Sequence, residues 1–133
     1  MTSDGTAPYH AHIYHEAHQR SASDALHMRL TEMLESGEAP DLLMVGELRE
    51  GPIGPHPLPQ FEIHFLARAL PTILPLIEAS GLRALVHPLT DDDLADHTSL
   101  AKWIGGGPLD LDLSVMDPPG ENKGLPRFGK IDF

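Results

Sequence analysis

Apolar and polar positions alternate from Tyr9 to Tyr14. Tyr9, Ala11 and Ile13 share one parity and His10, His12 and Tyr14 the other, the period of two that predicts a strand. Leu26, Leu30, Met33 and Leu34 then recur at helical spacing, with Ser21 or Ser23 as the expected N-cap and Gly37 as the expected stop. The short apolar run Leu42 to Leu48, bounded by Pro40 and by Gly51-Pro52, predicts a second strand. Gly51 to Pro59 carries four Pro and two Gly in nine residues and predicts a stiff loop. A third strand is expected over Gln60 to Leu66, with Phe61, Ile63 and Phe65 on one side and Glu62 and His64 on the other. Leu70, Ile73, Leu74 and Ile77 predict a second helix ending before Gly81, with Pro71 capping it and Pro75 in its first turn, where no intrahelical N–H is required. Leu82 to His87 predicts a fourth strand, stopped by Pro88. Thr90 and Asp93 resemble a capping box, with Asp91, Asp92 and Asp93 at the positive end of a third helix that runs to Ile104 and stops at Gly105-Gly106-Gly107. Leu109, Leu111 and Leu113 alternate with Asp110, Asp112 and Ser114, predicting one more extended strand.

This order, β-α-β-β-α-β with a C-terminal helix and strand appended, is an α+β ferredoxin-like arrangement. Both helices of the repeat are expected on one sheet face, against the Tyr9/Ala11/Ile13 and Phe61/Ile63/Phe65 sides, with Ala84 and Val86 beside them. His10, His12, Glu62 and His64 then turn to the open face, joined by Arg83, Leu85 and His87. Residues 1–8 are expected to be a flexible N-terminus, 9–107 the folded domain, and 108–133 a strand and tail packing on that domain or on its partner. A homodimer is expected, because a sheet with one uncovered face needs a ligand or partner over it.

Composition narrows the function. The chain has 133 residues, the size of one domain, and its 9 Lys and Arg against 20 Asp and Glu give a net charge of −11. That field repels phosphate backbones and anionic lipid, so nucleic acid and membrane surfaces are excluded as partners. With no Cys, disulfides, thiolate metal sites and a Cys nucleophile are excluded too. The segment Met1 to Pro8 lacks a basic and an apolar region, and no stretch reaches the length of a spanning helix, so a cytoplasmic location is expected. The 9 His equal all Lys and Arg together and are scattered, not in a tag-like run.

His10 and His12, two apart on a strand, project to the same side about 7 Å apart, within reach of one ion, and His87 adds a third donor from the adjacent strand. Imidazole and carboxylate ligands without thiolate suit Fe(II), Mn or Zn. Glu62 has the parity to complete a two-His-one-carboxylate set or to orient a ligating His, and equally to be a solvated carboxylate. His64 shares that face. His56, between Pro55 and Pro57, is rigidly presented, as a general acid or base must be. His97 falls with Leu94, Ala101 and Ile104 on the apolar side of the third helix, where a hydrogen-bonded core His is the plain alternative. Arg83 has the parity to pair with a substrate carboxylate, against the simpler reading of an exposed strand Arg. Trp103, near a helix end, reads as core. His15, His18 and His27 fall in polar or loop settings and receive no role.

Taken together, Tyr9-His10-Ala11-His12-Ile13-Tyr14, Gly54-Pro55-His56-Pro57, Phe61-Glu62-Ile63-His64-Phe65, Val86-His87-Pro88-Leu89-Thr90 and Asp96-His97-Thr98 resemble the DOPA 4,5-dioxygenase family of small extradiol dioxygenases, over about Tyr9 to Gly105. The resemblance implies a ferredoxin-like domain, usually dimeric, that uses non-haem Fe(II) and dioxygen to open a catechol ring beside its two hydroxyls. Zn or Mn is expected to substitute for iron in a purified sample. It implies that His10, His12 and His87 lie nearest the metal and that His56 and His97 line the pocket, with His56 the first and His97 the second candidate for acid/base work. Two other classes are consistent with the residues: a non-catalytic metal- or small-molecule-binding domain of the same fold, and a cofactor-free oxygenase.

Overall fold

The computed structural model describes residues 7–50, 56–89, 93–115, 126–127 and 130–131. The elements that build the site are β1 (Pro8–Tyr14), α1 (Arg20–Ser36), β2 (Leu42–Val45), β3 (Gln60–Leu66), α2 (Leu70–Ser80), β4 (Ala84–Pro88), α3 (Asp93–His97) and β5 (Lys102–Ile104). Farther on, β6 (Pro126–Arg127) and β7 (Lys130–Ile131) pair with each other. The main sheet has 5 strands in the order β2-β3-β1-β4-β5, all neighbours antiparallel. Its first four strands follow the ferredoxin-like order, with β1 between β3 and β4.

The two parities of each strand divide as the pattern predicts. Ala11, Ile13, Phe61, Ile63, Phe65, Ala84 and Val86 join Leu26, Leu30 and Met33 of α1 and Ile73 and Ile77 of α2 in one core. Ile73 and Ile77 are fully buried, each burial contributing about 2 kcal/mol. Gly37 and Gly81 end the two helices in the left-handed conformation. His27, given no role by its sequence setting, donates from Nε2 to the carbonyl of Gly46 at 2.9 Å and fastens α1 to the end of β2.

Five expectations are corrected. The first helix is not capped by Ser21 or Ser23. A 3-10 turn at Ala17–Gln19 leads into it with a Glu16/Gln19 capping box, because the backbone N–H of Glu16 finds Gln19 Oε1 at 3.0 Å, and Ser23 is buried within the helix. A second 3-10 turn, Ala67–Ala69, extends α2 backwards, so Pro75 lies inside the helix and not in its first turn. The predicted third helix ends at His97. Thr98 to Leu100 form a turn and Lys102–Ile104 become β5, since the free edge of β4 offers a ladder opposite Ala84, Leu85 and Val86 and Trp103 and Ile104 suit a strand. With that edge taken, the alternating segment Leu109 to Leu113 has no strand to pair with. It runs irregularly, with a bond from Leu111 N–H to the Leu109 carbonyl at 3.0 Å, into a 3-10 turn at Leu113–Val115. The second strand is also shorter than expected. It leaves the ladder after Val45, beyond a register shift between Leu42 and Met44. The Thr90-to-Asp92 part of the capping box and Gly51 to Pro55 of the stiff loop lie outside the described residues.

Candidate active site

On the face of the sheet away from the helices, β1 and β4 place His10 opposite His87 and His12 opposite Leu85, while β3 places His64 opposite His10 and Glu62 opposite His12. The segment leading into β3 adds His56 and α3 adds His97. All six imidazoles are buried, none more than 8% exposed. His10 and His64 stack with ring centroids 3.5 Å apart, His12 lies 4.1 Å from His56, and His87 lies 4.4 Å from His97. Burial above all, then the fields of His56, His87, His10 and His97, hold the pKa of His12 well below the ordinary imidazole value. Burial and then His97 bring His56 down to about 3. Both rings are therefore neutral at pH 7, the form that ligates a metal or acts as a base.

Neutral imidazoles carry one proton, and the neighbours of each ring decide where it sits. His87 Nδ1 is 2.7 Å from the carbonyl of Pro88, which can only accept, so the proton is on Nδ1 and the lone pair on Nε2. His12 Nδ1 faces Gln60 Oε1 at 3.1 Å, which places its proton on Nδ1 in the same way. His10 Nδ1 faces Glu62 Oε2 at 3.6 Å, longer than a hydrogen bond but near enough to favour a proton there. Carboxylate or carbonyl oxygens behind Nδ1 are the usual support of a metal-binding imidazole. The consequence is that Nε2 of His12 and Nε2 of His87 point their lone pairs at one another across 3.0 Å. Two lone pairs repel at that separation, and a cation between them turns the repulsion into coordination. The donor atoms of His10, His12 and His87 all lie within 4.8 Å of one another.

Two other groups also come within 4.8 Å, His12 with His56 and His97, and His10 with Glu62 and His64. Each contains a side chain whose donor atom is committed elsewhere. Tyr14 Oη lies 2.6 Å from His56 Nδ1, and burial raises the phenol above its ordinary pKa, so the hydroxyl keeps its proton and donates it to Nδ1. His56 then carries its own proton on Nε2, where a ligand would need a lone pair. His64 Nε2 donates to Glu62 Oε2 at 3.0 Å, tying up that pair. The donor chemistry therefore fits an ion at His10, His12 and His87, with Glu62 behind His10.

One cavity is lined by His97 of the cluster and a second by Tyr14, the partner of His56. The first, of about 480 Å³, is bounded by His97, Trp103, Leu109 and Leu111 among others. The second, of about 210 Å³, is bounded by Tyr14, Leu58, Arg83 and Leu109 among others. Trp103, on the wall of the larger, is half-buried and stacked on Tyr14, on the wall of the smaller, with centroids 5.9 Å apart.

The chain is similar to known proteins over the region that holds this site. A model of the Dopa 4,5-dioxygenase family matches residues 9–115. The chain belongs to this family. It is 37% identical over 119 residues to a 21.2 kDa protein of Botryotinia fuckeliana that has no assigned function, covering 81% of this chain and 62% of the relative. It is 32% identical over 110 residues to the DOPA 4,5-dioxygenase of Amanita muscaria, covering 77% of this chain and 47% of that enzyme. The chain thus spans only about half to three-fifths of the length of these relatives. A crystal structure from Nostoc punctiforme, provisionally assigned as a dioxygenase, superposes with a TM-score of 0.68 at 30% identity, covering 86% of this chain and 95% of the other. Membership of this family makes the chain a dioxygenase-family protein.

Within this member of the family, the structure gathers five of the sequence-predicted residues, His10, His12, His56, His87 and His97, into one buried cluster, with His64 and Glu62 along its β3 side. His97 belongs to the cluster and not to the helical core, because α3 ends on it and turns it to the sheet face. Arg83 is set apart from the imidazoles, one strand step beyond Leu85 and beside Tyr14, whose N–H bonds the Arg83 carbonyl at 2.9 Å. Trp103 lines a cavity and not the core. Sequence reasoning missed Gln60 and Tyr14 as partners of the imidazoles, although each shares the parity of the site residues on its strand. It also missed His15, which is buried at 3% exposure with Nδ1 unpartnered among the described residues and carries no local signal. Among the described residues no helix is long and apolar enough to cross a membrane.

Proposed function

We propose that this chain is an extradiol dioxygenase that opens a catechol-type ring with dioxygen at a non-haem Fe(II) held by His10, His12 and His87. The observation that carries the reading is the set of Nδ1 atoms turned toward oxygen atoms of Glu62, Gln60 and Pro88, which leaves the opposed Nε2 atoms of His12 and His87 3.0 Å apart. Bound ferrous iron supplies Lewis acidity toward the two catechol hydroxyls and an electron path to dioxygen. The protein supplies the rest. Three neutral nitrogen ligands leave coordination positions for the reactants. Trp103, Leu109 and Leu111 give the larger cavity apolar walls for a flat ring, with His97 at its inner side. His56, steadied by Tyr14, would present Nε2–H to the substrate oxygens as a hydrogen-bond donor, and the proton that a neutral imidazole of the cluster accepts from the catechol would be the one returned later in the reaction. His97 is the second candidate for that exchange. The net change balances without another reagent: one ring C–C bond beside the diol breaks, and both atoms of O2 enter the product as an aldehyde and a carboxylate.

The test is reconstitution. Purified protein loaded anaerobically with Fe(II) is expected to bind about one iron per chain and, on admission of air, to turn a simple catechol into a yellow ring-opened product, with the cleavage position read by mass spectrometry under labelled O2. Colour without iron favours a cofactor-free oxygenase, and neither colour nor bound metal favours a non-catalytic binding domain. A homodimer and a cytoplasmic location belong to the same proposal. Sedimentation equilibrium checks the first against the 14.5 kDa chain mass.

A further inference from the structure

Arg83 differs from the other arginines whose side chains are described. Arg20 bonds Asp24 and Glu50, Arg29 bonds Glu38, and Arg68 bonds Asp41. Arg49 is exposed to water. Arg83 is half-buried, lines the cavity of about 210 Å³ and makes no ion pair among the described residues. In a chain of net charge −11, acidic partners are abundant and a partly desolvated guanidinium without one is costly. The only acid on the described wall of that cavity, Glu16, is exposed and belongs to the cap of the first helical turn. The guanidinium lies against Gly106, where an added Cβ would come within 2.9 Å of its Nε, so the absence of a side chain keeps its seat open.

The position follows from the register. His87, Leu85 and Arg83 are spaced two apart on the open side of the sheet, and Leu85 pairs with His12. Arg83 therefore stands about 7 Å beyond the His12 level and about 13 Å beyond His87 along the strand. Tyr14 and Trp103 lie beside that path, and Leu109 is common to both cavities. We infer that Arg83 is an anion-binding subsite that reads a carboxylate on the tail of an aromatic substrate, the planar fork donating to both carboxylate oxygens. This rests on the ring-opening reading for where the ring sits, but the carboxylate contact does not depend on turnover.

The site carries its own reporter, since Trp103 is the chain's single tryptophan. Metal-free protein is titrated with 3-phenylpropionate and with its uncharged match, 3-phenylpropanamide, and Trp103 fluorescence is followed. The carboxylate is expected to bind about ten-fold or more tighter than the amide, a preference worth about 1.4 kcal/mol. Arg83→Gln is expected to abolish the preference, and Arg83→Lys, which keeps the charge but not the fork, to retain part of it. Equal binding of the two probes, no binding of either, or an undiminished preference in a folded Arg83→Gln protein overturns the inference. A parallel measurement on iron-loaded protein compares 3-(3,4-dihydroxyphenyl)propionate with 4-methylcatechol, and the ratio of their kcat/KM values is expected to fall about ten-fold in Arg83→Gln, through KM. If the fluorescence preference holds while no catechol is opened, the subsite stands and the dioxygenase reading falls. If catechols are opened with no dependence on Arg83, the dioxygenase stands and the subsite falls.

Discussion

His12 and His87 oppose their Nε2 atoms at 3.0 Å, and each ring has its other nitrogen held by an oxygen, Gln60 Oε1 behind one and the Pro88 carbonyl behind the other. Ligand binding to the folded state alone stabilises it by mass action, about 4 kcal/mol at a thousand-fold excess over Kd. Added Fe(II) or Zn(II) is therefore expected to raise the Tm by on the order of 10 °C, reversibly with chelator, and His12→Ala or His87→Ala to abolish the shift. Gln60→Leu keeps every ligand but removes the oxygen behind His12, and metal affinity is expected to drop about 10- to 100-fold. Calorimetry with the metal alone measures this. Unchanged affinity in Gln60→Leu would mean that the amide does not set the tautomer of His12.

The same buried imidazoles make the metal-free protein sensitive to acid. His56 has a folded pKa of about 3 against an ordinary 6.5, and His12 is lowered in the same direction, burial being the chief cause for both. Between these values the unfolded chain binds more protons than the folded one, so stability rises with pH there. For His56 the contribution is complete above about pH 6.5 and is lost as pH falls toward about 3, by about 1 kcal/mol per pH unit, and His12 adds to it in the same direction. Urea midpoints of the metal-free protein are expected to fall steadily from pH 7 to pH 5, and less steeply in His56→Leu. A flat profile over that range would show that the unfolded chain gains no protons at these sites.

How much of this was legible depends on which residues bear local signals. The parities of Tyr9 to Tyr14 and Phe61 to Phe65 decide which side of the sheet is apolar, and the core and the imidazole face follow from them because a strand alternates without exception. His87 was placed by Pro88, which ends the strand. Lys102-Trp103-Ile104 could not be assigned in the same way. Its pattern fits either a helix end or a strand, and only the free edge of β4, a feature of the folded sheet, decides between them. The roles of Gln60, Tyr14 and the Pro88 carbonyl were equally hidden, since they depend on which ring nitrogen faces which oxygen, and a backbone carbonyl carries no sequence signature at all.

The β5 edge rests on Gly105. Its φ is +76°, and a Cβ there would run into the Leu82 carbonyl, backbone that cannot step aside cheaply. Gly105→Ala is expected to destabilise the protein by about 2 kcal/mol or more, combining the left-handed conformation with the overlap. Because Trp103 sits two residues earlier on the same edge, its fluorescence is expected to change at lower denaturant than the far-UV signal of the helices in this variant. Coincident transitions with an unaltered midpoint would show that the backbone at Gly105 relaxes without cost.

His56 and Tyr14 separate proton transfer from metal binding. The 2.6 Å contact places the phenol proton toward Nδ1 and the imidazole proton on Nε2, which makes His56 a donor beside the ligands and not one of them. His56→Ala is expected to lower kcat for catechol opening about 10²- to 10⁴-fold with the iron content unchanged. Tyr14→Phe leaves the ring present but untethered, so a smaller loss of about ten-fold in kcat is expected with KM little altered, together with about 1 kcal/mol of stability from the missing buried hydrogen bond. The decisive quantity is iron per chain, measured beside the kinetics on the same samples. If His56→Ala loses its metal along with its activity, His56 coordinates through Nε2, the proton on that nitrogen is wrongly placed, and the ligand set shifts toward His12, His56 and His97.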